Sequence, residues 1–285
     1  MNSLDAIAKL NLYLKVTGKR ADGYHELLTL FFPVNALADT LTLEQGEPGI
    51  RLNTDGLGDL GAGNDNLVVR AARSYAEAAE IAPAWRFRLT KRIPVAAGMG
   101  GGSSDAAAAL RLLNQQYGLL TAAELAAIAL KLGADVPYFL APATGFATGI
   151  GERFTALDGA ALKLPLLIVN PRFPVSAKWA YSNLDPARIG PDCENRAEAL
   201  AAALRANDPA AIAANLHNDL APALYRKFPL LDMLRCFLCQ NGALNAEITG
   251  SGSTMYAIAP DCGALGELAR RTRDHFGETL LLFEG

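Results

Sequence analysis

Charge is scarce in this chain. Of its 285 residues 19% are charged, with 26 Lys and Arg set against 29 Asp and Glu, so the formal net charge is −3. Without a basic excess the chain lacks the electrostatic footprint of a nucleic-acid binder, and any basic patch is local. No apolar run reaches the roughly 20 residues that span a bilayer. The first residues, Met1-Asn2-Ser3-Leu4-Asp5, lack the basic start and apolar run of a secretory signal. A soluble, cytoplasmic protein with neither a membrane nor a nucleic-acid partner is expected.

Cysteine is confined to Cys193, Cys236, Cys239 and Cys262. Cys236-Phe237-Leu238-Cys239 has the spacing of a metal or redox pair, but no second pair accompanies it. It also lies within an apolar helical run, so buried or half-buried thiols are expected instead. Histidine occurs three times, and neither an internal repeat nor a low-complexity tail is present. What is plentiful is apolar. Hydrophobic residues make up 51% of the chain, enough for an ample core and against disorder, and the length suits one large domain or two.

Residues 4–18 alternate with period two, with Ala6, Ala8, Leu10, Leu12 and Leu14 on one face and Lys9, Asn11, Tyr13 and Lys15 on the other. The turn chemistry of residues 18–23 leads to extended stretches at 24–34 and 40–44. Residues 46–63, rich in Gly and Asp, read as a loop. Asn64-Asp65-Asn66 caps a helix that buries Leu67, Val68, Ala71 and Tyr75, and Thr121 caps another with Leu125, Ile128 and Leu132 inward. Gly133 ends that helix, and Pro137 restarts the chain just after Asp135. Strands follow over 143–157 and 164–170. Helices fill most of 194–240, broken at Pro209, Pro222 and Pro229. Strands at 243–248, 254–259 and 279–283 flank a helix over 263–275. A division near 155–165 into two α+β domains is natural.

The most informative stretch is Ile93 to Asp105. It follows a strand over 85–91 and opens a helix with apolar residues at Ala106, Leu110, Leu113 and Tyr117. Its glycines, Gly98, Gly100, Gly101 and Gly102, leave no Cβ in the way of a ligand, and Ser103, Ser104 and Asp105 suit a helix start. The free N–H groups and dipole of a helix's first turn attract anions, phosphate above all. No Lys precedes the Ser, so this is not a Walker A loop, and serine stands where the dinucleotide fingerprint ends in glycine. Tyr24-His25, read alone, is either structural or a pair that stacks on a nucleobase and bonds its edge.

Four features together carry a resemblance. They are the Lys in Ala8-Lys9-Leu10-Asn11-Leu12, the glycine loop, the Asp in Gly133-Ala134-Asp135-Val136-Pro137, and the second glycine turn Thr249-Gly250-Ser251-Gly252-Ser253. In this order the sequence resembles the GHMP superfamily of small-molecule kinases over nearly its whole length. The resemblance implies an α+β, two-domain GHMP kinase fold. Residues 1–158 would form an ATP-binding domain like ribosomal protein S5 domain 2, and 159–285 a ferredoxin-like α/β domain. It implies ATP and Mg²⁺ as cofactors and a monomer or weak homodimer.

The site residues carried over by the resemblance fall in the matching motifs. Pro94, Val95, Ala96, Ala97, Gly98, Met99, Gly100, Gly101, Gly102, Ser103 and Ser104 would wrap the ATP phosphates, with Asn66 near the adenine. Lys9 and Asp135 would be catalytic, flanking the substrate hydroxyl. Asn11, Tyr24, His25, Gly250, Ser251 and Gly252 would bind substrate. The metal ligand is unassigned, with Ser103 or Ser104 as candidates. Arg20-Ala21-Asp22-Gly23-Tyr24-His25 is the most discriminating motif, because galactose, homoserine and mevalonate kinases are not expected to carry it. It implies a small alcohol bearing a cytidine diphosphate group, the alternative being another small alcohol. Val175-Ser176-Ala177-Lys178 departs from the family's Ser-Thr pattern, which leaves that loop and an aromatic partner such as Tyr181 open.

Overall fold

In a computed structural model of the chain, residues 2–57, 63, 65–159, 164–192 and 195–285 are described. Asn64 and Cys193 lie outside these residues. The chain divides into two compact units. One comprises Met1–Lys9, Leu37–Val95 and Gly100–Pro142, the other Leu10–Ala36, Ala96–Met99 and Ala143–Gly285.

Strand β1 (Asn2–Lys19) forms where the period-two pattern predicts it. Its polar face is covered as well as its apolar one, so Lys9, Asn11 and Tyr13 are buried alongside Leu10 and Leu12. Strand β2 (His25–Gln45) is one continuous element, not the two stretches expected. The apparent break at Asn35–Asp39 is held in the strand by the fully buried Leu37 and Asp39. The Asp39 carboxylate accepts the Arg92 and Ile93 N–H groups at 2.6 and 2.8 Å. Strand β3 (Gly49–Gly56) replaces the loop expected over 46–63. Its order comes from pairing in parallel with β4 (Ala84–Lys91), with Ile50 opposite Trp85 and Leu52 opposite Phe87, not from its own Gly-rich composition.

Helices α1 (Leu67–Ala78), α2 (Gly101–Tyr117), α3 (Ala122–Leu132) and α4 (Val136–Leu140) complete the first unit, where the strand order is β3-β4-β2-β1. Asn66 caps α1 by accepting the Val68 N–H at 2.9 Å, and Thr121 with Glu124 closes a capping box on α3. Helix α2 starts earlier than its serines suggest. Gly100 is the N-cap, at φ 72°, so Ser103, Ser104 and Asp105 lie within the helix and do not cap it. Trp85 anchors the core between α1 and α2. It is buried with Tyr75 at 6.3 Å between ring centroids, and its indole N–H donates to the Tyr117 hydroxyl at 2.8 Å.

In the second unit β5 (Gly145–Gly149) pairs with β2 and with β6 (Arg153–Ala156). Strand β7 (Leu166–Asn170) is wholly buried. Helix α5 (Ala177–Ser182), which the sequence reading omitted, is capped by Ser176. Helices α6 (Arg196–Ala206) and α7 (Pro209–Ala214) lead to a short strand, β8 (His217–Asn218), that pairs in parallel with β1. Then come α8 (Ala221–Lys227), α9 (Pro229–Gln240), β9 (Asn245–Ile248), β10 (Met255–Ile258), α10 (Cys262–Phe276) and β11 (Leu281–Glu284). Pro209, Pro222 and Pro229 occupy first-turn positions, where a missing N–H costs nothing, so each proline starts a helix as well as ending the preceding run. An antiparallel sheet, β11-β7-β10-β9, packs Leu167, Val169, Ile248, Met255 and Ala257 against Leu224, Leu231, Leu234, Leu265 and Leu268. Cys236 and Cys239 on α9 are half-buried as expected, whereas Cys262 is exposed.

Asp219 locks β1 to β8. Its carboxylate accepts the Val16 N–H at 2.8 Å, pairs with Lys15 at 3.2 Å and meets the His217 ring nitrogen at 2.8 Å. Burial favours its neutral form, but His217, the Val16 amide and Lys15 outweigh burial and hold its pKa below the usual carboxylate value. A depressed native pKa gives stability that is full above the unfolded value, about 3.9, and fades as pH falls through the native value. Asp219→Asn is therefore expected to cost about 3 kcal/mol at pH 7, by urea unfolding, because it strands buried donors. The difference from the parent chain should shrink steadily below about pH 4.

Candidate active site

Lys9 sits on the covered polar face of β1 with its side chain only 5% exposed, and its Nζ lies 3.8 Å from Asp135 Oδ2. Burial pulls the ammonium's pKa below the usual lysine value, and the Asp135 charge opposes that pull. Asp135 occupies the N-cap position of α4, yet its side chain makes no cap hydrogen bond. A third of that side chain is exposed. The carboxylate is thus not spent on the helix. It faces a buried cation on one side and solvent on the other.

The start of α2 meets this pair. A Cβ at Gly100 would come within 2.8 Å of the Phe139 ring on α4 and 3.3 Å of Lys9 Cε, and its φ of 72° is one that glycine adopts without cost. The side chain of Lys9, the helix that follows Asp135 and the mouth of the glycine run are therefore packed together in the first unit. The first N–H groups of α2 have no partner within the helix, and their dipole is positive there. Gly102 lies against Leu67, at 3.5 Å from a Cβ placed on it, which sets Asn66 and the start of α1 beside the same glycines. The Asn66 side-chain oxygen is engaged with its helix cap.

A buried ion triad lies under the loop and escaped the sequence reading. Lys91 Nζ donates to Asp39 and, at 2.7 Å, to Asp105 Oδ2, and all three side chains are within the core. One signal was available: Lys91 continues the inward face Trp85, Phe87, Leu89 of β4, so period two alone puts an ammonium among apolar neighbours.

In the second unit, the middle of the glycine loop packs on the second glycine turn. Gly98, at φ 81°, leaves room for the Thr249 carbonyl, which a Cβ would strike. Ala96 and Ala97 carbonyls accept the Val175 and Thr254 N–H groups at 3.1 and 3.3 Å. Asn218 Nδ2 donates to the Ile248 and Gly250 carbonyls, both at 2.8 Å, and so pins the turn. Gly250 and Gly252 are buried, Ser251 partly so. Asn11 is held on all sides: its Nδ2 donates to Thr29 at 2.8 Å, its N–H to the Thr249 hydroxyl at 3.0 Å, and its carbonyl accepts from Tyr256 at 3.1 Å.

Tyr24 follows the tight turn at Asp22-Gly23 and is 60% exposed. His25 stacks on Tyr181 of α5, with centroids 5.4 Å apart and planes 20° from parallel. Burial, helped by the Lys19 charge, lowers the imidazole pKa, which favours its neutral form. Among the described residues, no group of three or more His, Cys, Asp or Glu side chains is gathered to hold a metal ion. No helix among them is long and apolar enough to cross a membrane.

Comparison with known proteins gives the family and the fold. Residues 66–142 match the GHMP kinases N terminal domain and residues 200–278 the GHMP kinases C terminal domain. The 4-diphosphocytidyl-2-C-methyl-D-erythritol kinase of Chlorobium phaeobacteroides (strain BS1) is 39% identical, over 96% of this chain and 94% of that one. A crystal structure of a 4-(cytidine 5'-diphospho)-2C-methyl-D-erythritol kinase superposes with a TM-score of 0.82 at 36% identity, covering 99% of this chain and 98% of the other. Mevalonate kinase of L. major, solved with R-mevalonate, shares the fold alone, with a TM-score of 0.75 at 13% identity over 100% and 95% of the two chains. The glycine loop, the buried lysine and the unspent aspartate thus sit on the fold of these relatives, and the chain belongs to the GHMP kinases, in the family of the 4-diphosphocytidyl-2-C-methyl-D-erythritol kinases.

Proposed function

We propose that this chain transfers the terminal phosphoryl group of ATP to the 2-hydroxyl of 4-diphosphocytidyl-2-C-methyl-D-erythritol, giving the 2-phosphate and ADP, as a cytoplasmic step of the non-mevalonate isoprenoid route. The observation that carries the reading is the Lys9–Asp135 pair at 3.8 Å with the Lys9 stem against Gly100. Phosphoryl transfer asks for in-line positioning and charge neutralisation more than covalent help. Asp135 accepts the hydroxyl's hydrogen bond and, as the bond to phosphorus forms, its proton. Lys9 orients that carboxylate and offsets the negative charge gathering on the transferred group. The N–H groups that open α2 bind the phosphates of the nucleotide, along the stretch Pro94 to Ser104.

Magnesium fits this site as an ion carried by the nucleotide. It keeps several waters and takes one or two protein oxygens plus phosphates, so it does not need a cluster of carboxylates. The Ser103 or Ser104 hydroxyl and the Asp135 carboxylate are the oxygen donors near the α2 start that would hold it. When bound, it neutralises phosphate charge. On the substrate side, Tyr24 and His25 hold the cytosine, supported by a stack between His25 and Tyr181 and by influences that favour a neutral imidazole. Asn11 and Gly250 to Gly252 form the backing for the substrate's polar groups, and Asn66 lies toward the adenine. The matched regions 66–142 and 200–278 support a family-style division into domains 1–158 and 159–285. The working form is a monomer or weak homodimer.

A coupled ADP-release assay tests the assignment. Turnover with the cytidyl substrate, and none with mevalonate, homoserine or galactose, is expected; preference for one of the latter makes the chain a kinase of another small alcohol. Asp135→Ala should lower kcat by about 10²–10⁴-fold, the range for a positioned acid–base group, with ATP affinity unchanged in a binding titration. His25→Ala should raise KM for the cytidyl substrate about tenfold, as loss of one well-placed hydrogen bond and a ring contact would, while KM for ATP stays put.

A further inference from the structure

Proteins seldom keep a wholly buried ion triad for stability, since an apolar replacement of similar volume is often neutral or better. Lys91, Asp39 and Asp105 are buried all the same, and their placement explains why. Asp39 Oδ1 takes the N–H groups of Arg92 and Ile93, where β4 ends and the glycine loop begins. Asp105 belongs to the second turn of α2, where the loop has ended. Lys91 reaches both carboxylates, so one ammonium ties the two stems of the loop together. The helix start rests on this tie: a Cβ at Gly101 would lie 3.0 Å from Ile93 Cγ2 and 3.4 Å from Lys91 Nζ.

We propose that Lys91, clasped between Asp39 and Asp105, is a positioning residue that presets the α2 end of the glycine loop for the nucleotide's phosphates. The inference rests on the reading above that this loop holds ATP. Fixing both stems before binding spares the nucleotide the entropy of ordering them.

The experiment uses the full chain, ATP with Mg²⁺, and the cytidyl substrate. Lys91→Met is expected to raise the ATP Kd and KM about tenfold or more, as misplacement of a positioning element does, with KM for the cytidyl substrate unchanged. Leu89→Ala, on the same buried face of β4, should lower Tm and leave the ATP Kd alone. Asp105→Asn keeps an acceptor for Lys91 but drops the charge, and should raise the ATP Kd by less than Lys91→Met does, with KM for the cytidyl substrate unchanged. If Lys91→Met binds ATP like the parent chain, or if both KM values rise in step with lost Tm, the proposal is overturned. Should Lys91→Met not fold, an Asp105→Asn variant with the parent chain's ATP Kd overturns it equally. If the parent chain itself binds no ATP, the reading of the loop fails and the proposal with it; if only the variants disappoint, the triad alone is refuted.

Discussion

A lysine ammonium placed where water cannot reach it is costly, and in this molecule the cost at Lys9 is offset by one half-open carboxylate, Asp135. Much else in the first unit serves that pairing. Strand β1 covers both its faces, which places Lys9 inside. Helix α3 stops at Leu132 and α4 restarts at Val136, leaving Asp135 at the joint with its carboxylate uncommitted. Gly100 gives up a side chain so that Phe139 and the Lys9 stem can close against the mouth of α2. A cation, a carboxylate and the start of a helix are packed together there.

The same unit holds a second buried ammonium used differently. Lys91 is closed in by two carboxylates and faces no solvent, so it is suited to holding parts in place and not to chemistry. Lys9 instead pairs with a carboxylate that solvent reaches. Exposure of the partner carboxylate, about a third for Asp135 against almost none for Asp39 and Asp105, separates the two pairs.

Features written in local chemistry were legible from the chain. Asn66 and Thr121 cap as their side chains dictate, the helical run breaks at prolines 209, 222 and 229, and the period of β1 is plain. The loop at 93–105 and the Asp135 joint could be read as well, though their roles rested on family resemblance. What escaped depended on partners distant in sequence. Strand β3 is ordered by β4, some 35 residues on, and nothing in Gly49–Gly56 announces it. Asp39 fell in the gap between two expected stretches, because its bonds go to Arg92 and Ile93. Ser103 and Ser104 looked like caps, yet Gly100 serves, because its positive φ lets the helix begin flush with Phe139.

The central claim is that Lys9 and Asp135 act as one unit on the reacting hydroxyl. A double-mutant cycle on kcat, with Lys9→Met, Asp135→Asn and the pair, tests it most directly. Each single change should cost about 10²-fold or more, and the double variant should be little worse than the poorer single one. Losses that multiply would mean the two side chains contribute independently, and the account given for this pair would be wrong.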